Sequence, residues 1–394
     1  MNKTLALVLF FSLPFFSNLI DSLLRFPRNQ KPIYAQTSQD DDGVCPEGCI
    51  PRNDNDCVLR AKILLLIFNP IIESRSGKKL TELMGWNDPD DLAAHCISDI
   101  NESSGNFVNY SVIGRIEADT FVRYTDGFIY DDDTYLKSWQ SQNFDHGDAG
   151  RGQPMADYQA ILQEYGVCEK LNAGEIDELW MFASPFSGFW ESSLAGPEAF
   201  WCNSPPVIGT VCGHLLPIMG FNYERGVGEM LESFGHRFES TMTHIFDGWD
   251  VTKSRHDWDR FGHNRGQTPD VDYYQCGSVH YGPNSLSDYD WSNYDYVLSN
   301  CDDWYNYPSF QGVIKQVNCQ DWGCEIRGHH KWWLKHLPRA SGKTNGKLNN
   351  WWWYVVDYDA ATKEEGVEGD LDGDGQVDSQ DLKILLENWG DSPS

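Results

Sequence analysis

Apolar and polar positions along this chain fall into two periods, and the two alternate through its first two-thirds. AKILLLIFNPII (61–72) is a continuous apolar run of strand length, the pattern of a strand buried on both faces. DPDDLAAHCISDINESSG (88–105) has an Asp-rich start, a helical apolar period and a terminal Gly, so it predicts a helix. NFVNYSVIGRI (106–116) alternates as a strand. MADYQAILQEYGVCEKL (155–171) reads as helix, IDELWMFASPF (176–186) as a second buried strand, and GFWESSLAGPEAFWCNSPP (188–206) as a Gly- and Pro-rich stretch holding an edge strand. HLLPIMGFN (214–222) then leads into a long helix. Beyond about residue 247 periodicity fades into His, Trp, Tyr, Asn, Asp and Gly. Two elements are expected there: a short helix in GHHKWWLKHLPR (328–339), stopped by Pro338, and a final strand in NNWWWYVVDYD (349–359). The alternation predicts an α+β domain near residues 60–360, a mixed sheet with packed helices whose C-terminal half is loop-rich.

The long helix, ERGVGEMLESFGHRFESTMTH (224–244), has an unusual second face. Val227, Met230, Leu231, Phe234, Phe238 and Met242 form its apolar stripe; Glu229, Glu232, His236 and Glu239 recur at spacings of three and four opposite it. Glu232 and His236, at i and i+4, have the spacing by which one helix offers two ligands to one metal. Glu239, a turn further on, would be a third ligand, an orienting carboxylate or an acid/base. A solvated face and a buried polar network are the other two readings of the stripe. A ligand from the loop-rich half is expected at His280 in GSVHYGPN (277–284), where Gly and Pro fix a turn; His329, His330 and His336 are the alternatives.

Composition narrows the setting. The 394 residues carry 30 Lys and Arg against 59 Asp and Glu, a formal charge of −29, which argues against nucleic acid or an anionic membrane as partner. Lys3, the apolar LALVLFFSLPFF and the small-residue site at IYAQ read as an export leader over residues 1–35, so a secreted or cell-surface location is expected, with no membrane anchor after cleavage. Residues 36–59 are an acidic, Cys-bearing linker. Eleven cysteines in an exported chain imply disulfides; Cys202, Cys212, Cys276, Cys301, Cys319 and Cys324 have the wide spread of loop staples. The 16 Trp and 18 Tyr fill a core or line a cleft that stacks on sugars or grips a peptide. The second option keeps a glycoside hydrolase in view, with Glu191, Glu229, Glu232, Glu239 and Asp250 as candidate paired carboxylates. A non-catalytic glycan-binding surface protein is the third class.

The last segment, 361–394, contains GDLDGDGQVDSQDLKILLENWG. Asp370, Asp372, Asp374, Asp378 and Asp381 occupy positions 1, 3, 5, 9 and 12 of an EF-hand-type calcium loop; Gly375 takes the sharp turn, and Gln376 offers its carbonyl. With Asp at position 12 followed by Leu, the segment resembles a dockerin repeat. That resemblance implies calcium as cofactor and a cohesin-like or cell-surface partner, here through a single repeat.

The main domain resembles the zincin-like metallopeptidases. Strand, edge-strand segment, strand and metal-binding helix follow in their order, and FGHRFE is close to the surroundings of the second histidine of their motif. The resemblance implies a metal-dependent hydrolase acting on polypeptide. HExxH itself is absent: Glu232 stands at the first histidine and Ser233 at the catalytic glutamate. Metal binding would then fall to Glu232, His236 and His280, with zinc or another divalent ion, and the base must come from elsewhere; Glu239, Glu229 and Glu191 are the candidates.

Overall fold

The computed structural model describes residues 58–362 and Lys383. The expected leader (1–35), nearly all of the linker (36–59) and the calcium-loop residues Asp370, Asp372, Asp374, Gln376, Asp378 and Asp381 lie outside the described residues.

A five-stranded mixed sheet organises the molecule. Its strands are β1 (Leu59–Phe68), β2 (Val108–Ala118), β3 (Glu178–Ala183), β4 (Ser192–Ala195) and β5 (Leu216–Asn222). In space the order is β2-β1-β3-β5-β4. β1 runs parallel to β2 and β3, and β3 parallel to β5; only the edge strand β4 is antiparallel to its neighbour. The apolar run of β1 is buried on both faces because its side chains alternate between two cores. Ile63, Leu65 and Ile67 join Trp180, Phe182 and Phe221 on one face, whereas Leu64, Leu66 and Phe68 join Leu179, Met181 and Ile218 on the other.

Helices cover both faces. α1 (Pro89–Ser103) starts where Asp88 accepts the N–H groups of Asp90 and Asp91, with Pro89 fitting the first turn. The helix expected over 155–171 is two short ones, α2 (Tyr158–Glu164) and α3 (Val167–Asn172), because Gly166 between them takes φ +59°. They pack on the second core. α4 (Val227–Ile245) follows β5 and lies in the first core with α5 (Ile326–Lys335). No described helix is long and apolar enough to cross a membrane.

Two expectations are corrected here. NNWWWYVVDYD forms no strand: Trp352–Val356 is a short helix, α6, with Trp351 and Trp352 fully buried. Trp352 packs on Phe234 and Phe238 of α4, and an unbroken apolar run carries no period that separates strand from buried helix. Cys202 is not a staple. The disulfides of the described residues are Cys168–Cys212, Cys276–Cys301 and Cys319–Cys324, and Cys202, like Cys96, is a buried thiol. Between Cys276 and Cys324 the chain is mostly loops, so two of these bonds hold the region that supplies His280.

Candidate metal centre

α4 is buried nearly all the way round. Glu232 and Glu239 are 8% and 9% exposed, which excludes a solvated face. Beneath them the apolar stripe is seated in the aromatic core, and Arg237 makes a fully buried double hydrogen bond to Glu178 of β3, at 2.8 Å for each contact. Glu178 also accepts from the Tyr110 hydroxyl at 2.7 Å and from Trp180 Nε1 at 3.0 Å. This network ties α4 to the sheet and fixes the rotation of the helix, so the opposite face presents its acids and imidazole in one orientation.

Three donor atoms converge above that face. His280 Nε2 lies 3.0 Å from Glu232 Oε1 and 3.1 Å from His236 Nε2, and those last two are 3.9 Å apart. A point equidistant from all three lies about 2.0 Å from each, the length of a zinc–nitrogen or zinc–oxygen bond. Among the described residues this is the one group of three His, Cys, Asp or Glu so arranged. Each imidazole turns its other nitrogen toward a carboxylate: His236 Nδ1 is 2.9 Å from Glu239 Oε2, and His280 Nδ1 is 3.6 Å from Asp288 Oδ1. Such partners fix the tautomer and aim the free nitrogen at the shared point. Without an ion the same geometry drives protonation. Burial opposes the charge on His236, but the hydrogen bond to Glu239 and the charges of Glu239, Glu191 and Glu232 raise its pKa to about 9.

The sequence candidates take different places. Glu239 is fully engaged, since its second oxygen accepts the Val279 N–H at 2.9 Å; it orients His236 and anchors the His280 turn. Glu229 reaches back to the Gly226 N–H at 3.1 Å and caps α4. Glu191, the residue before β4, sends Oε2 to 3.7 Å from His236 Nε2 and keeps 41% of its side chain exposed. Asn203 holds that oxygen at 2.5 Å and is itself tied to α4 by its N–H to Ser240 Oγ. Ser233 turns away, donating its hydroxyl to the Glu229 carbonyl at 3.0 Å. His330 points both ring nitrogens at backbone carbonyls, those of Gly228 and Val279, and His336 pairs with Asp302, so neither enters the group. His329 is buried against Trp322.

Tyr289 was not foreseen. Its N–H donates to the His280 carbonyl at 3.0 Å, its ring centroid is 4.5 Å from that of His280, and its φ is +63°, rare for an aromatic residue. Burial first, and then the charges of Glu232, Asp288 and Glu191, raise the pKa of its hydroxyl. No spacing marks it, because a local turn, not a regular element, brings it back over His280. Asn203 is equally silent in sequence.

Two cavities flank the donors. One of about 210 Å³ is lined by Glu191 and Ser233 together with Phe186, Phe189, Phe221 and Arg225. The other, of about 430 Å³, is lined by His280, Glu239, Trp249, Asp250 and Asp288. Comparison with family models, with curated proteins and with solved structures finds no match to this chain.

Proposed function

We propose that this chain is an exported, metal-dependent hydrolase acting on polypeptide, with its C-terminal repeat as a calcium-stabilised anchor. The observation that carries the reading is the convergence of Glu232 Oε1, His236 Nε2 and His280 Nε2 on one point at zinc-bond distance, with a carboxylate behind each imidazole. One carboxylate and two neutral imidazoles form a donor set suited to zinc and leave a fourth position open. A divalent ion held there would supply Lewis acidity and lower the pKa of a bound water.

The remaining chemistry belongs to the protein. Glu191 is the open carboxylate beside the donors, so it takes the proton from the attacking water and returns it to the leaving amine. Asn203 holds it in place. The antiparallel edge strand immediately after Glu191, and a site helix that follows β5, support the likeness to zincin-like metallopeptidases with the base displaced from the helix to the strand edge. The glycan readings lean on a Trp-lined cleft, yet Trp180, Trp351 and Trp352 are in the core, which leaves them Trp249 on the larger cavity and the half-buried Trp190 beside Glu191. Their paired carboxylates are also short of candidates, because Glu229 and Glu239 are engaged in capping and orienting.

Casein hydrolysis by the purified protein is expected to disappear on chelation, return with zinc, and stay lost in Glu191→Gln. Polysaccharide hydrolysis that survives chelation would replace this reading with the paired-carboxylate one; binding of soluble glycan with no turnover of either substrate would replace it with a lectin-like role.

A further inference from the structure

Of the two imidazole donors, His280 has the less behind it. His236 stands on a helix with Glu239 2.9 Å from its second nitrogen, whereas His280 lies in a turn and its second nitrogen is 3.6 Å from Asp288, longer than a hydrogen bond. Its aim must therefore come from its backbone. The turn closes on itself, with the Ser278 N–H on the Tyr281 carbonyl at 2.8 Å; Gly277, at φ +77°, leaves room for that carbonyl where a Cβ would run into it. What seats the closed turn is α5. His330 and Trp333 are one helical turn apart on it and share a face. Trp333 Nε1 donates to the Gly277 carbonyl at 3.2 Å, and His330 Nε2 lies 3.0 Å from the Val279 carbonyl. The second of these carbonyls belongs to the peptide bond that begins His280. The rest of Val279 is held by α4: its N–H donates to Glu239, and its side chain packs on Gly235, where a Cβ would overlap Val279 Cγ1. Gly235 is the residue before His236, so this contact sets how closely the two imidazoles approach.

His330 is fully buried, and burial pushes its pKa down to about 4, so at neutral pH it has one N–H for two carbonyls, those of Gly228 and Val279, each at 3.0 Å. The Gly228 carbonyl, in the first turn of α4, already takes the N–H four residues on in the helical ladder. The Val279 carbonyl sits in a turn, and its other donor is Trp291 Nε1 at a longer 3.3 Å. The proton therefore belongs on Nε2. We infer that His330 is a positioning residue of the metal centre: it never meets the ion, and by holding the Val279 carbonyl it aims His280 Nε2 at Glu232 and His236. The inference rests on the reading of those three donors as a metal centre and adds α5 as the element that keeps them together.

The test uses the full chain and two readouts: zinc affinity by competition with a chromophoric chelator, and the visible absorption of the cobalt(II)-loaded protein, whose bands follow the arrangement of the ligands. The informative pair is His330→Gln and His330→Asn. A glutamine amide reaches about as far as Nε2, and so reaches the Val279 carbonyl; an asparagine amide stops near the place of Nδ1, on the Gly228 side. His330→Phe keeps a ring and removes both nitrogens. His330→Gln is expected to stay close to the wild type in affinity and spectrum. Asn and Phe should weaken zinc by about 10–100-fold, the usual cost of losing an outer partner, and shift the cobalt bands. Unfolding midpoints of the metal-free forms show which variants fold, and all three are expected to fall because each disturbs a buried site. If Phe does not fold, the comparison of Gln with Asn decides. Wild-type affinity and spectrum in the Asn variant, or equal losses in Asn and Gln, would overturn the role assigned to Nε2. A wild type that takes up neither zinc nor cobalt would overturn the metal centre itself and this inference with it, a result distinct from a wild type that binds and variants that do not differ.

Discussion

At the scale of single residues the centre depends on groups that never meet the shared point. Glu239 carries two duties with its two oxygens: one fixes His236 Nδ1 and the other holds the Val279 N–H beside His280. Removing it would free both imidazoles at once. Loss of an outer carboxylate typically costs 10–100-fold in metal affinity, so Glu239→Ala is expected to weaken zinc by about 100-fold, at the upper end of that range. Competition with a chromophoric chelator would measure it. An unchanged dissociation constant would show that neither imidazole depends on Glu239. The i, i+3 and i+4 spacing of Glu232, His236 and Glu239 was legible in the sequence because a helix converts spacing into a face. The division of labour within that face was not, since it depends on what the loop at Val279 and His280 brings opposite each residue. For the same reason Glu191 stood level with Glu229 as a candidate until the sheet placed one beside His236 and the other at a helix start.

At the scale of elements, the sheet and its main helices were legible where one face or both carried a clear period. β1 stood out as an apolar run, α1 by its Asp-rich start, apolar period and terminal Gly105, and α4 by its stripe. The break between α2 and α3 and the helical turn at Trp352 were not, because the first depends on the backbone of Gly166 and the second on packing against Phe234 and Phe238. Another contact invisible in the sequence joins α1 to α5 over 229 positions. Glu102 lies 2.6 Å from Lys331 Nζ and 2.7 Å from Lys335 Nζ, and Asp99 pairs with Arg327 and Lys331. The two lysines, by hydrogen bonding, lower the Glu102 carboxyl from 4.5 to about 2. A depressed carboxyl contributes stability above its unfolded value, and that contribution is lost as pH falls from 4.5 through about 2. Glu102→Gln should therefore cost some stability at pH 7 and nothing below about 2. Because the carboxyl is 53% exposed, the neutral-pH cost is held to about 0–1 kcal/mol and should shrink in high salt. Urea unfolding across that pH range would reveal it; a deficit that persists at the acid end would mean the side chain acts by packing instead.

At the scale of the whole molecule, the architecture brings one ligand-bearing loop onto one helix face. The buried Glu178–Arg237 pair sets the rotation of α4, while the Cys276–Cys301 and Cys319–Cys324 disulfides hold the loop-rich half that delivers His280 across 44 positions from His236. The central claim is that this assembly holds one divalent ion. It is tested most directly by the zinc content of the purified chain after equilibration with zinc and removal of excess, in the wild type and in Glu232→Ala, His236→Ala and His280→Ala, with the unfolding midpoint of each recorded beside it. Zinc is read separately from calcium, so the C-terminal loop does not enter the count. The account predicts one equivalent of zinc in the wild type and a large loss in every variant. It also predicts a midpoint that rises with free zinc in the wild type alone, because an ion that binds only the folded state stabilises it by linkage. No zinc in the wild type, or full occupancy with an unchanged midpoint in all three variants, would contradict it.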